Sequence, residues 1–284
     1  MNDAAAAART FRRAAELNLQ DRYRQGSIVR LPDYGQVVMT GDLHGHAKNF
    51  QKLQRFCRLE EAPVRHVVLH ELIHGEPAGP NEPDRSCQLL LAAACWKVQH
   101  PDQVHFMQAN HELAQLTGRA IARAGHSVLE AFEAGVAEIY GPAAESVLQA
   151  INEFILSLPL AVRTPNRIFL VHTLPDDRYI PTFDVGIFDR PLSRADLGEG
   201  GGAYQLVSGR TRKPENIQYL AEKLQVDCFI VGHQHQEQGY ALVHDRVIVL
   251  ASDHNHGVFL PFDLARGYRP AELVRNVRKF VSVG

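Results

Sequence analysis

The chain has 284 residues, 45% of them hydrophobic and 22% charged, with a net charge of −2. Those values suit a globular protein with a sizeable core, either one large α/β domain or two small ones, and they give no electrostatic argument for a nucleic-acid or anionic-membrane partner. No apolar run reaches the ~20 residues that span a bilayer, and Cys57, Cys87, Cys95 and Cys228 are scattered without metal-finger spacing, which predicts small buried thiols in a reducing, cytoplasmic compartment.

Residues 1–17 carry an alanine run followed by Arg9, Arg12 and Arg13. The run is too short and too poor in large apolar residues for a secretory leader, so an exposed helix is expected within an N-terminal extension over residues 1–26. Strands and helices then alternate: strand 35–40, helix 47–57, strand 65–69, helix 84–98, strand 103–108. Such alternation predicts a layered α/β architecture. Residues 113–158 read as nearly continuous helix, broken near Gly125 and at Gly141-Pro142, and are expected to form a helical layer or cap. A strand follows at 167–171. Residues 173–203, rich in Pro, Asp and Gly and ending in Gly200-Gly201-Gly202, read as a mobile surface loop. Pro214 opens a helix running to residue 224, and strands at 228–231, 240–243, 246–251 and 258–262 suggest a second sheet packed on the first. No repeat or linker divides the sequence, so residues 1–284 are expected to form one domain.

Four short polar signatures end apolar, β-branched runs: Gly41-Asp42-Leu43-His44-Gly45-His46, Asn110-His111-Glu112, Val171-His172 and Gly232-His233-Gln234-His235. Asp, Asn and His are the oxygen and nitrogen donors that hold divalent metals, and loops at strand ends are where open α/β sheets build sites. Each signature alone has a bland reading: an ordinary loop for Asp-x-His, a helix cap for Asn-His-Glu, a satisfied core histidine for His172. Many of the 15 histidines fall within these signatures.

In order and content the signatures resemble the calcineurin-like metallophosphoesterases, a superfamily that includes the serine/threonine protein phosphatases, over residues 36–262. The resemblance implies two facing mixed β-sheets flanked by helices, and two divalent metals side by side. Asp42 and His44 match ligands of the first metal; Asn110, His172 and His233 match those of the second. His111 matches the histidine that protonates the leaving group. A mixed Asp/Asn/His set suits manganese, iron or zinc better than calcium or magnesium. His235 matches a second ligand in the wider superfamily, but Gln234 and the following Gly239-Tyr240 look like the protein-phosphatase branch, where only the first histidine binds. The implied reaction is hydrolysis of a phosphomonoester or phosphoanhydride by water, on a phosphorylated small molecule or phosphoprotein, with diadenosine polyphosphates as the main variant.

One signature departs from the family. Where it has a strand followed by Gly-Asp-x-x-Asp-Arg-Gly, this chain has Leu69-His70-Glu71-Leu72-Ile73-His74-Gly75. Glu71 therefore takes the place of the bridging aspartate, with one more methylene. His74 replaces the aspartate that orients the acid histidine, which should lower the pKa of His111, and Gly75 replaces a phosphate-holding arginine. His70 or His74 could serve as an extra ligand. The same stretch spells the His-Glu-x-x-His of zinc proteases, a motif that works only on a helix; the strand-like residues before it, and Gly75, Pro77, Gly79 and Pro80 after it, argue against one. Arg210 resembles the family's downstream phosphate arginine and is expected to act on substrate. Arg212, Lys213 and Arg85 read as solvated charges, and Asp253-His254 as structural. The rival from another class is a phosphatase-like binding protein with little turnover, suggested by the altered Glu71, His74 and Gly75.

Overall fold

The computed structural model describes residues 3–75, 82–123 and 125–284. Two mixed sheets face each other. One has five strands in the order Arg278–Lys279, Val258–Asp263, Gln36–Thr40, Arg65–Leu69, Val104–Phe106, and the other has seven: Arg24–Gln25, Ile28–Arg30, Ala161–Arg163, Ile168–Val171, Cys228–Val231, Val247–Leu250, Tyr240–Val243. The central strands of both run parallel to a neighbour, and parallel strands covered on both faces read as unbroken apolar runs. Their side chains alternate as the strand pleat requires. Met39, Val68, Leu170, Ile230 and Ile248 fill the space between the sheets. Val38, Val67 and Leu69 point the other way, under the helices over the five-stranded sheet, while Phe169, Val171, Phe229 and Val249 face those over the seven-stranded sheet.

Helices Ala47–Cys57, Cys87–Gln99 and Pro214–Leu224 lie close to where the sequence predicts them. Three expectations need correction. The N-terminal helix Ala4–Leu19 is not exposed: it buries Ala7, Ala8, Phe11, Ala14 and Ala15, with the Phe11 ring tilted against Phe154 at 5.9 Å between centroids. Its alanines allow close helix approach, so the low hydrophobicity of the run hid a packing face. Residues 173–203 are not a plain loop either. Ile180, Ile187 and Phe188 plug the outer core, and Arg190 clamps Asp196 with two bonds of 2.7 and 2.8 Å. Finally, the helical layer is three helices, Asn110–Thr117, Val128–Tyr140 and Ala144–Leu156, and the first begins three residues earlier than expected. Asn110 and His111 thereby sit in a helical first turn.

The sheets meet at the rim that matters. Asp42, just beyond Gln36–Thr40, makes a parallel bridge to Ala251, just beyond Val247–Leu250. The Ser252 N–H donates to the Asp42 carbonyl (3.1 Å) and the Gly41 N–H to Ser252 Oγ (2.8 Å). The carboxyl ends of strands from both sheets, and the loops leaving them, therefore converge on one place.

Candidate metal centre

Segment 70–75 is the backbone of this place. It is not helical, and Glu71 and His74 adopt left-handed φ values of 49° and 56°. His70 and His74 consequently aim at different partners, the first at His172 (2.9 Å) and the second at His111 (2.8 Å). The one-sided pair of ring nitrogens that a His-Glu-x-x-His protease needs does not form. Pro77, Gly79 and Pro80, expected to end such a helix, lie outside the described residues. Backbone bonds tie the segment to the first signature: Leu43 and His44 N–H both donate to the Glu71 carbonyl, at 2.9 and 2.8 Å. Glu112 supports it from the other side, its Oε1 accepting from Leu72 N–H at 2.7 Å. Burial, then the Glu71 charge, pushes the Glu112 carboxyl up to about 8. His44 and His233 are also left-handed, at 40° and 68°. Each such non-glycine residue costs ~1–2 kcal/mol, and strain gathered at one site marks a place held open for chemistry.

Four donor atoms converge beyond Glu71. His172 Nε2 lies 2.9 Å from Glu71 Oε2, 2.8 Å from Asn110 Oδ1 and 3.0 Å from His233 Nδ1, and His233 Nδ1 lies 2.8 Å from Asn110 Oδ1. Glu71 uses its other oxygen, Oε1, to accept the His111 N–H at 3.0 Å, in the first turn of a helix where a carboxylate is favoured. Glu71 is thus shared between two donor groups, one with His172 and His233 and one with His44 and His111.

The protonation of these rings follows from what faces them. A backbone carbonyl only accepts, so His44 Nδ1, 3.0 Å from the Ile73 carbonyl, carries the hydrogen and its Nε2 is the basic nitrogen. His70 Nε2 lies 3.0 Å from the Thr40 carbonyl and carries a hydrogen for the same reason. Burial, then the neighbouring His172, lowers His70 to about 3, so its Nδ1 is a lone pair and His172 must present Nδ1–H to it. Burial likewise holds His172 well below its usual value. Its Nε2 is then a lone pair as well, facing a carboxylate oxygen and an amide oxygen. The His172 lone pair and the Glu71 oxygen, 2.9 Å apart, repel unless a cation joins them. Ligands ~2.1 Å from one ion and at right angles stand ~3.0 Å apart, and these atoms are spaced that way. The residues therefore fit a divalent transition metal.

Other residues fall differently. Asp42 is buried, and both its oxygens accept the His233 N–H, at 3.0 and 2.9 Å. Burial, then Glu71, raises its carboxyl well above the ordinary range. Its distance group holds His70 and His172, whereas His44 groups with Glu71 and His111, so Asp42 and His44 do not share one cluster. The protein engages both ring nitrogens of His70, which also groups with Asp42 and His172, and both of His74: His74 Nε2 meets Gln115 Oε1 at 3.0 Å, and the Gln115 amide reaches Glu133 at 3.4 Å. His235 lies apart from the buried donors, grouped with Asp253 and His254. The His256 N–H donates to His254 Nδ1 at 3.2 Å.

Two arginines act on the histidines electrostatically, since Arg210 and Arg212 both lower His172 and His233. Arg210 is exposed and held by its backbone, its N–H to Asp176 at 2.7 Å and its carbonyl to Gln234 at 3.1 Å. Arg212, read from sequence as a solvated charge, is the more enclosed: its guanidinium bonds Gln234 and, at 2.8 Å, Thr173 Oγ1, and burial pulls its pKa down to about 10. Arg85 is committed elsewhere, to Glu138 at 2.7 Å. The sequence marked His70 only as a possible ligand and Arg212 only as a solvated charge, and it did not mark Gln115; their importance lies in partners brought from distant segments.

The comparisons agree with this architecture. The model of the calcineurin-like phosphoesterase family matches residues 35–237. No curated protein sequence matches the chain. Among solved structures, a protein serine/threonine phosphatase from Saccharomyces cerevisiae, with similarity to human phosphatase PP5, superposes with a TM-score of 0.69 at 16% identity, over 91% of this chain and 82% of that one. A cold-active protein-tyrosine phosphatase of a psychrophilic Shewanella species superposes at 0.59 and 15% identity, over 93% and 84%. At such identities the superpositions establish the shared two-sheet fold, and the family match covers most of the sequence. This chain belongs to the calcineurin-like phosphoesterase family.

Proposed function

We propose that the protein is a phosphatase that hydrolyses a phosphomonoester or phosphoanhydride with two divalent cations, manganese, iron or zinc, held at this centre. Asn110, His172 and His233 would hold one, Glu71 would lend an oxygen to each, and the other would fall to His44, with Asp42, which groups with His70 and His172 and not with His44, as its further carboxylate. The observation that carries the reading is the convergence of Glu71 Oε2, Asn110 Oδ1 and His233 Nδ1 on His172 Nε2, at 2.9, 2.8 and 3.0 Å. Bound there, such ions polarise phosphoryl oxygens and make water a nucleophile near neutral pH.

The chain's own groups supply the rest. Arg210 and the more enclosed Arg212 bind phosphoryl oxygens, Arg212 in an orientation set by Thr173 and Gln234. His111 delivers a proton to the leaving oxygen. Glu133 only accepts, so Gln115 turns its NH2 group there and its oxygen to His74 Nε2–H; His74 Nδ1 then accepts from His111 Nδ1–H. An imidazole thus orients the acid where the family uses a carboxylate, which slows proton delivery to poor leaving groups. The fold likeness to protein phosphatases favours a phosphorylated protein or small molecule as substrate. The same His74, with Gly75 in the arginine's place, favours a second reading, a phosphate-binding protein with slow turnover. An assay of metal-loaded protein with an aryl phosphate and a bis-aryl phosphate separates the two. Turnover abolished by EDTA and restored by manganese supports the phosphatase; stoichiometric metal without turnover supports the binding protein.

A further inference from the structure

His70 stands where the family's pattern has glycine, a position with no side chain to offer. Its ring is wholly enclosed. Room for it is made by another glycine: a Cβ on Gly232 would lie 2.5 Å from His70 Cε1 and 2.3 Å from Asp42 Oδ1. The ring spans two fixed points, the Thr40 carbonyl at 3.0 Å from Nε2 and His172 Nδ1 at 2.9 Å from Nδ1. Because the Thr40 carbonyl only accepts, the ring places its hydrogen on Nε2, which leaves His70 Nδ1 to accept from His172.

We infer that His70 is a positioning residue, which holds His172 in the Nδ1–H tautomer and so reserves His172 Nε2 for a cation. The inference rests on the proposed metal centre. Without His70, the other tautomer is favoured: His172 Nε2–H would donate to Glu71 Oε2, 2.9 Å away, and to Asn110 Oδ1, 2.8 Å away. That hydrogen-bonded state satisfies the same acceptors and competes with the metal. His70 removes the competitor by carrying a distant backbone acceptor's demand across one ring to the ligand. Metal-binding histidines are commonly fixed by a hydrogen bond on the second nitrogen; here the partner is a second histidine, itself fixed by the Thr40 carbonyl.

The test has two independent arms. Long-range 1H–15N correlation spectra of metal-free protein, labelled at histidine, report each ring's tautomer. Wild-type His172 is expected as Nδ1–H; finding Nε2–H overturns the inference without any variant, and whether or not the protein binds metal. Titration calorimetry with Mn2+ then compares wild type, His70→Ala and His70→Asn. In His70→Ala, His172 is expected to shift towards Nε2–H and affinity to fall about 10–100-fold, with two ions still bound. His70→Asn, whose Oδ1 can accept from His172 Nδ1–H, should recover much of that loss and provides the test if the alanine variant fails to fold. Unchanged tautomer and affinity in a folded His70→Ala would overturn the role, as would a loss of one ion per chain, which would make His70 a ligand. Wild type that binds no Mn2+ in calorimetry while His172 remains Nδ1–H would instead overturn the proposed metal centre.

Discussion

Replacing Glu71 by Gln should make the cation-free protein more stable and destroy its response to cations. In the wild type, Glu71 Oε2 faces His172 Nε2 at 2.9 Å, acceptor against acceptor, and the Glu71 charge raises the carboxyls of Asp42 and Glu112. A glutamine keeps an oxygen for the His111 N–H, 3.0 Å from Oε1, and places an NH2 group where the second oxygen was. That group donates to the His172 lone pair. One net hydrogen bond contributes ~0.5–1.5 kcal/mol and relieved repulsion adds to it, so a gain of about 1–2 kcal/mol is expected in EDTA. With ~2–4 °C per kcal/mol for a chain of this size, the melting temperature should rise by roughly 2–8 °C. In the wild type, Mn2+ at 100 times Kd should add ~2.7 kcal/mol, and this increment should vanish in the variant. Differential scanning calorimetry with and without Mn2+ reads both effects. A lower melting temperature in EDTA together with an intact Mn2+ response would refute that facing pair of acceptors.

Asp42→Asn or His233→Ala should fold, by circular dichroism, yet lose aryl phosphatase activity by about 10³-fold or more; full activity in either would remove that residue from the machinery. His74→Asp should speed hydrolysis of alkyl phosphates, whose leaving groups need a proton, while barely changing aryl phosphates; equal effects on both would deny His111 the role of acid. Arg212→Ala should raise KM and weaken inhibition by inorganic phosphate more than Arg210→Ala does, since Arg212 is the more enclosed. Far from the centre, burial holds His66 down at about 3 and lowers His105, which also contacts Asp21 at 2.9 Å. Both rings are neutral when folded and protonate more readily when unfolded, so stability should fall as pH drops from ~6.5 towards 3. His66→Gln should flatten that fall in urea titrations.

Much of the architecture was legible because it is written locally. Runs such as Val37-Val38-Met39 and Phe229-Ile230-Val231 are apolar on both faces, and each ends in a polar signature, so a buried strand delivering a donor could be read without knowing its neighbours. What escaped is non-local. Whether His70 is ligand or support depends on Thr40 and His172, 30 and 102 positions away. Arg212 looked like a solvated charge until Thr173 and Gln234 closed round it. The N-terminal helix looked exposed because alanines carry little hydrophobic signal, although small side chains are what bring Phe11 against Phe154. His-Glu-x-x-His misleads because the motif specifies spacing and not backbone: with left-handed Glu71 and His74, the two rings diverge.

Whether Glu71 joins two cations can be seen in crystals grown with Mn2+ and measured at the manganese absorption edge. Two anomalous peaks are expected on either side of the Glu71 carboxylate, one among Asn110, His172 and His233 and one beside His44. A single peak touching neither Glu71 oxygen, or density only at His235, Asp253 and His254, would contradict that expectation.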